Sequence, residues 1–157
     1  MYSIFCSIFE ITRKNLKMSH KVVTTWKQNL QFESDNPSGL TLTMDANEDV
    51  GGDGNGLRPK ALMLSSLAGC SGIDVASLLK KMRVEVDSFH IDVEGELTEE
   101  HPKYYHHVTV DYHFYGTNLQ KDKIEKAVNL SVERYCGVME MFRHFAKMKI
   151  EIHYHEK

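Results

Sequence analysis

From Pro59 to Met82 runs a long stretch with apolar side chains at Leu62, Leu64, Leu67, Ala68, Val75, Leu78, Leu79 and Met82. That spacing predicts a helix with a broad apolar stripe. Pro59 suits its first turn, where the missing N–H costs nothing, and Lys80, Lys81 and Arg83 place positive charge at its C-terminal end. A helix this long and this apolar is expected to be central and largely buried, with the rest of the chain arranged around it. At 157 residues the chain fits one domain with one core.

The flanking segments read as strands. Lys21 to Phe32 is rich in β-branched and aromatic residues, Asp35-Asn36-Pro37-Ser38-Gly39 is turn chemistry, and Leu40 to Met44 reads as the hairpin partner. Alternation predicts strands at Phe89–Val93 and Val108–Phe114, with a turn at Glu99-Glu100-His101-Pro102 between them. Gly116-Thr117-Asn118 then opens a second helical pattern through Ile124, Ala127, Val128, Ser131, Val132, Tyr135, Met139, Phe142 and Phe145, and the chain closes with a strand from Met148 to Tyr154. The order β-β-α-β-β-α-β makes an α+β domain, two long helices on mainly antiparallel strands.

Each helical pattern holds one cysteine beside glycine: Gly69-Cys70-Ser71-Gly72 and Tyr135-Cys136-Gly137. Glycine costs a helix about 1 kcal/mol, so it points to close backbone approach or a break. A break at Gly137 would put Cys136 near a helix N-terminus, whose open amides favour a thiolate. With both thiols brought together, the chemistry is that of a two-cysteine redox site; inert packing is the plain alternative for each.

Other classes are disfavoured. A net charge of −3 without a basic block argues against nucleic acid. Three cysteines without CxxC spacing make neither a disulfide framework nor a zinc motif, and suit the reducing cytosol. No metal site is expected: His153 and His155 share a strand face, but no recognisable zinc set is completed in sequence, and His101, His106 and His113 read as surface or interface residues. Gly51-Gly52-Asp53-Gly54-Asn55-Gly56 lacks the Gly-Lys-Ser/Thr ending of a phosphate loop. Met1 to Lys17 is too short to span a membrane and lacks signal-peptide features, so it reads as an N-terminal extension ahead of a start at Met18, making Cys6 irrelevant.

The run Pro59-Lys60-Ala61-Leu62-Met63-Leu64-Ser65-Ser66-Leu67-Ala68-Gly69-Cys70-Ser71, with Leu130-Ser131-Val132-Glu133-Arg134-Tyr135-Cys136-Gly137-Val138, resembles the OsmC/Ohr proteins. Cys70-Ser71-Gly72-Ile73-Asp74-Val75, Leu79-Lys80-Lys81-Met82-Arg83 and Met44-Asp45-Ala46-Asn47 are most like its YhfA-like branch. The resemblance implies an intertwined homodimer with the central helices at the interface. It also implies organic hydroperoxide reduction by Cys70, resolved by Cys136, with a dithiol reductant such as a lipoyl group and no bound cofactor or metal.

Active reductases of that family carry an arginine in the N-terminal strands and a glutamate soon after the helix-opening proline. Here Lys21 to Asp49 contains no arginine, and Lys60-Ala61 follow Pro59. Arg58 and Lys60 are the candidate cations, and Asp74, one turn beyond Cys70, is a candidate hydrogen-bond acceptor, although a carboxylate there raises a thiol pKa. Tyr135, Met139, Met141, Phe142 and Phe145 read first as packing and second as lining for an apolar pocket beside Cys70, with Trp26 in the core or an interface. Two functions follow: a cytoplasmic thiol peroxidase for small hydrophobic hydroperoxides, or a non-catalytic dimeric module that binds a small apolar ligand.

Overall fold

The structure is a computed structural model that describes residues 19–157; the N-terminal extension, Cys6 and the start at Met18 lie outside the described residues. The described chain forms two compact units, divided after Leu57.

The first unit is a three-stranded antiparallel sheet, β1 (Thr24–Gln28), β2 (Gln31–Asp35) and β3 (Thr41–Met44). The single strand expected from Lys21 to Phe32 is therefore two strands. They fold back at Asn29, whose φ of 45° is a left-handed conformation that asparagine tolerates better than most residues. Trp26 sits in this hairpin, 62% exposed within the chain, with its Nε1 donating to the Asn29 carbonyl at 2.9 Å, so it is not a core residue of this chain.

The glycine-rich loop has a structural explanation of its own. The buried Asp45 carboxylate accepts the amides of Ala46 (2.7 Å), Asp53 (3.2 Å) and Asn55 (3.1 Å), so the loop wraps around a carboxylate instead of a phosphate. A Cβ on Gly56 would stand 2.7 Å from the Asp45 amide nitrogen, and one on Gly52 would stand 2.3 Å from the Ala46 carbonyl oxygen. Only glycine fits that tightly wound backbone.

The second unit holds the long helix α1 (Pro59–Met82), with the boundaries the apolar pattern predicts. Strands β4 (Ser88–Leu97) and β5 (Tyr105–Gly116) form an antiparallel hairpin, and β6 (Lys147–Glu156) pairs parallel to β5. Between β5 and β6 the chain makes α2 (Lys121–Leu130), one π-helical turn (Ser131–Tyr135) and α3 (Gly137–Arg143). The expected second long helix is thus broken, and the observed order β-β-β-α-β-β-α-α-β replaces the simpler one.

The core lies between α1 and one face of this sheet. Leu67, Val75 and Leu79 of α1, which share one side of the helix, pack with Val108, Val110, Tyr112 and Phe114, the alternate residues of β5. Alternation along β5 sends His107, Thr109, Asp111 and His113 to the opposite face.

The expectation that α1 is largely buried does not hold for the single chain. Its most apolar 18 residues have a mean hydropathy of 1.6, high enough by length and composition to cross a membrane, yet only 22% of that window is buried. Met63 (43%) and Ile73 (74%) are exposed, so the helix covers one stripe and presents a second apolar face.

Candidate functional site

The two cysteines come together in the second unit. Cys70 stands at mid-length of α1, half-buried, and Cys136 stands between the π turn and α3, buried. The two sulfurs and a carboxylate oxygen of Asp74 all lie within 4.8 Å of one another. Asp74 takes this place because residues four apart on a helix share a face. Arg58 and Lys60 do not join them: along a continuous helix rising about 1.5 Å per residue, they lie about 18 and about 15 Å from Cys70. The candidate cations are therefore not beside the thiol within one chain.

The break that positions Cys136 is local. The widened π turn closes with the Cys136 amide donating to the Ser131 carbonyl at 2.9 Å. Cys136 then turns extended (φ −74°, ψ 97°) and caps α3, its Sγ accepting the Met139 amide at 3.3 Å. Single π turns inside helices often accompany functional positions. The break at Gly137 and the amide facing the sulfur agree with the sequence reading.

The thiolate expectation for Cys136 does not hold. Burial raises its pKa to about 11, outweighing the Met139 and Val138 amides that favour the anion, and the adjacent Cys70 adds to the rise. Cys136 is a protonated thiol at neutral pH. Of the flanking glycines, Gly72 shows the close approach expected, since an added Cβ would stand 3.3 Å from Ile91 Cδ1, whereas at Gly69 and Gly137 it would meet nothing within 4 Å among the described residues.

Beneath the sulfurs lies a polar cluster that sequence reading missed. Ser71, fully buried, hydrogen-bonds the Tyr112 hydroxyl and stands 2.9 Å from Ser131 Oγ. Ser131 Oγ in turn reaches Asp74 Oδ2 at 3.4 Å. Burial raises the Tyr112 pKa to about 12, so it is a neutral phenol that can donate. The available signal was a polar residue on a buried stripe: Ser71 lies between Leu67 and Val75 at helical spacing, and Ser131 follows Ala127.

An open cleft of about 440 Å³ reaches Cys136, and its lining includes Glu133, Arg134, Glu140 and Arg143. It is a charged cleft beside Cys136, whereas the apolar pocket expected beside Cys70 belongs to a dimer. Met139 and Phe142 are core residues, whereas Tyr135 and Met141 are exposed.

Known proteins match this chain in sequence, and solved structures share its arrangement of helices and sheets. Residues 52–151 match the model of the OsmC-like protein family. This chain belongs to the OsmC-like family. Protein YhfA of Escherichia coli strain K12 is 34% identical to this OsmC-like chain over 113 residues, covering 72% of it and 81% of YhfA. A hypothetical protein from Aquifex aeolicus VF5 superposes on it with a TM-score of 0.77 at 31% identity, covering 89% of this chain and 98% of that one. The OsmC-like fold extends to an organic hydroperoxide resistance protein OsmC from Legionella pneumophila, with a TM-score of 0.66 at 17% identity, covering 87% and 98% of the two chains.

Proposed function

We propose that this OsmC-like chain is a thiol redox protein that reduces organic hydroperoxides through Cys70, with Cys136 as the resolving thiol. The observation that carries the reading is the pair of sulfurs within 4.8 Å, one half-exposed and one buried and protonated. In the first step the Cys70 thiolate attacks the outer peroxide oxygen. The O–O bond breaks, the alkoxide takes a proton and leaves as alcohol, and Cys70 becomes a sulfenic acid. The Cys136 sulfur then displaces the sulfenic hydroxyl, which leaves as water with the Cys136 proton, and a disulfide forms. A dithiol of the lipoyl type returns both thiols and is itself oxidised to a disulfide.

The unequal setting of the two sulfurs supports this division of labour. A thiol with its pKa raised to about 11 is a poor first nucleophile but adequate once a sulfenic acid is fixed beside it. The exposed apolar residues of α1, Met63 and Ile73, support a homodimer in which a second copy covers that face and completes the substrate pocket. The name of the Legionella relative, organic hydroperoxide resistance protein, agrees with an organic rather than an inorganic peroxide. A cytoplasmic setting follows from a mechanism that needs reduced thiols.

One observation favours the second reading, a non-catalytic dimeric module for a small apolar ligand. Arg58 and Lys60 stand far from Cys70 along α1, and Lys21 to Asp49 offers no arginine. Intact-mass measurement of the reduced protein after stoichiometric cumene hydroperoxide separates the two. The reductase loses two hydrogens within seconds, Cys136→Ser traps one added oxygen, and Cys70→Ser stays unmodified. If all three proteins stay reduced for many minutes, the binding module replaces the enzyme.

A further inference from the structure

The outer face of the β4-β5-β6 sheet carries a row of histidines that no single stretch of sequence contains. The strand register sets His90 of β4 opposite His113 of β5, and His113 opposite His153 of β6. Their rings stack nearly parallel, His90 on His113 at 4.7 Å and 13° and His113 on His153 at 4.5 Å and 15°. Asp92 lies two residues beyond His90 on the same face of β4. Its Oδ2 stands 3.7 Å from His90 Nε2 and 3.7 Å from His113 Nε2.

We propose that His90, Asp92 and His113 form a binding site for a first-row divalent transition metal ion, zinc in the first instance, on the outer face of this sheet. Both of these separations are too long for hydrogen bonds. They are close to ligand spacing: donors about 2.1 Å from a tetrahedral ion stand about 3.4 Å apart, and the two stacked imidazoles converge on one ion by rotation about their side-chain torsions. All three donor atoms already lie within 4.8 Å of one another. Two imidazoles and one carboxylate with a fourth position open to water match a zinc ion, and imidazole also suits copper and nickel.

His113 Nε2 faces Asp92, while its Nδ1 lies 3.0 Å from His155 Nε2, a second ring that orients the imidazole when His113 donates to it. The neighbouring acids are accounted for. Asp111, opposite Asp92 in the register, is held by His153 at 3.0 Å, and Glu151 lies beside that pair. The site is separate from the thiols, because β4 and β5 send alternate residues to opposite faces and Tyr112 points to the thiol side.

Zinc competition against a chromophoric chelator, with the full chain, tests the site. The expected result is one equivalent bound in the wild type and equally in Cys6→Ser/Cys70→Ser/Cys136→Ser. His90→Gln and His113→Ala should each weaken binding at least tenfold, and His155→Ala by about 10–100-fold. His90 is half-exposed on an edge strand, so His90→Gln keeps the test independent of folding. Cobalt absorption should show ligand-field bands without thiolate charge transfer. The site is overturned if His90→Gln binds zinc as the wild type does. It is equally overturned if the cysteine-free variant loses the ion, or if only His153→Ala weakens it, which would move the ion to Asp111, Glu151 and His153.

Discussion

At the residue scale the two cysteines differ by burial. Alkylation by iodoacetamide at neutral pH should label Cys70 first and leave Cys136 unmodified, as peptide mapping would show. The sign of the pH effect follows from the raised Cys136 pKa. The folded state holds the proton more tightly than the unfolded chain, so this contribution is complete below the unfolded thiol pKa of about 8.5 and is lost as pH rises towards about 11. Tyr112 adds a loss of the same sign from about pH 10 to about 12. The melting temperature should therefore fall on the alkaline side, and less steeply in Cys136→Ser. Tyr112→Phe removes the hydrogen bond to Ser71 but leaves Ser71 its contact with Ser131, so a loss of about 1 kcal/mol in urea unfolding is expected. Cys70, Cys136 and Asp74 were legible because thiols are rare in the chain and Asp74 follows Cys70 at helical spacing. Tyr112 was hidden among the inward residues of β5, where a phenol and a phenylalanine give the same alternation.

At the element scale, α1 was legible to its boundaries because a long apolar stripe opened by proline has few other readings. The first hairpin was hidden because its reversal lacks glycine and proline, and a positive φ at Asn29 leaves only a faint compositional mark. The π turn was also hidden, since one extra residue in a turn leaves the apolar spacing almost unchanged. The histidine row required the register of three strands, which no local pattern contains. Gly69 carries an element-scale prediction. An isolated chain has room for its Cβ, so Gly69→Ala should gain about 1 kcal/mol of helix stability if this side of α1 faces water. If a second copy packs there, the same change destabilises the assembly, and denaturation at two protein concentrations distinguishes the cases.

At the scale of the whole molecule, the exposed face of α1 sets the expected assembly. Ile73→Asp changes a residue that is mostly exposed in the single chain. A monomer should tolerate it within about 0.5 kcal/mol, as surface substitutions generally are. In the proposed dimer it buries a charge, and sedimentation should show conversion to monomers. A dimer that persists in Ile73→Asp would place the interface elsewhere.

The parallel pairing of β6 with β5 makes the order of synthesis matter. Until residues 147–156 leave the ribosome, β5 has a bare edge, and the segment carrying Cys136 has no closing strand to anchor it. Bare edges recruit other chains. A nascent chain halted before Lys147 would thus be prone to aggregation, and β6 acts as the latch that protects β5, made well before it.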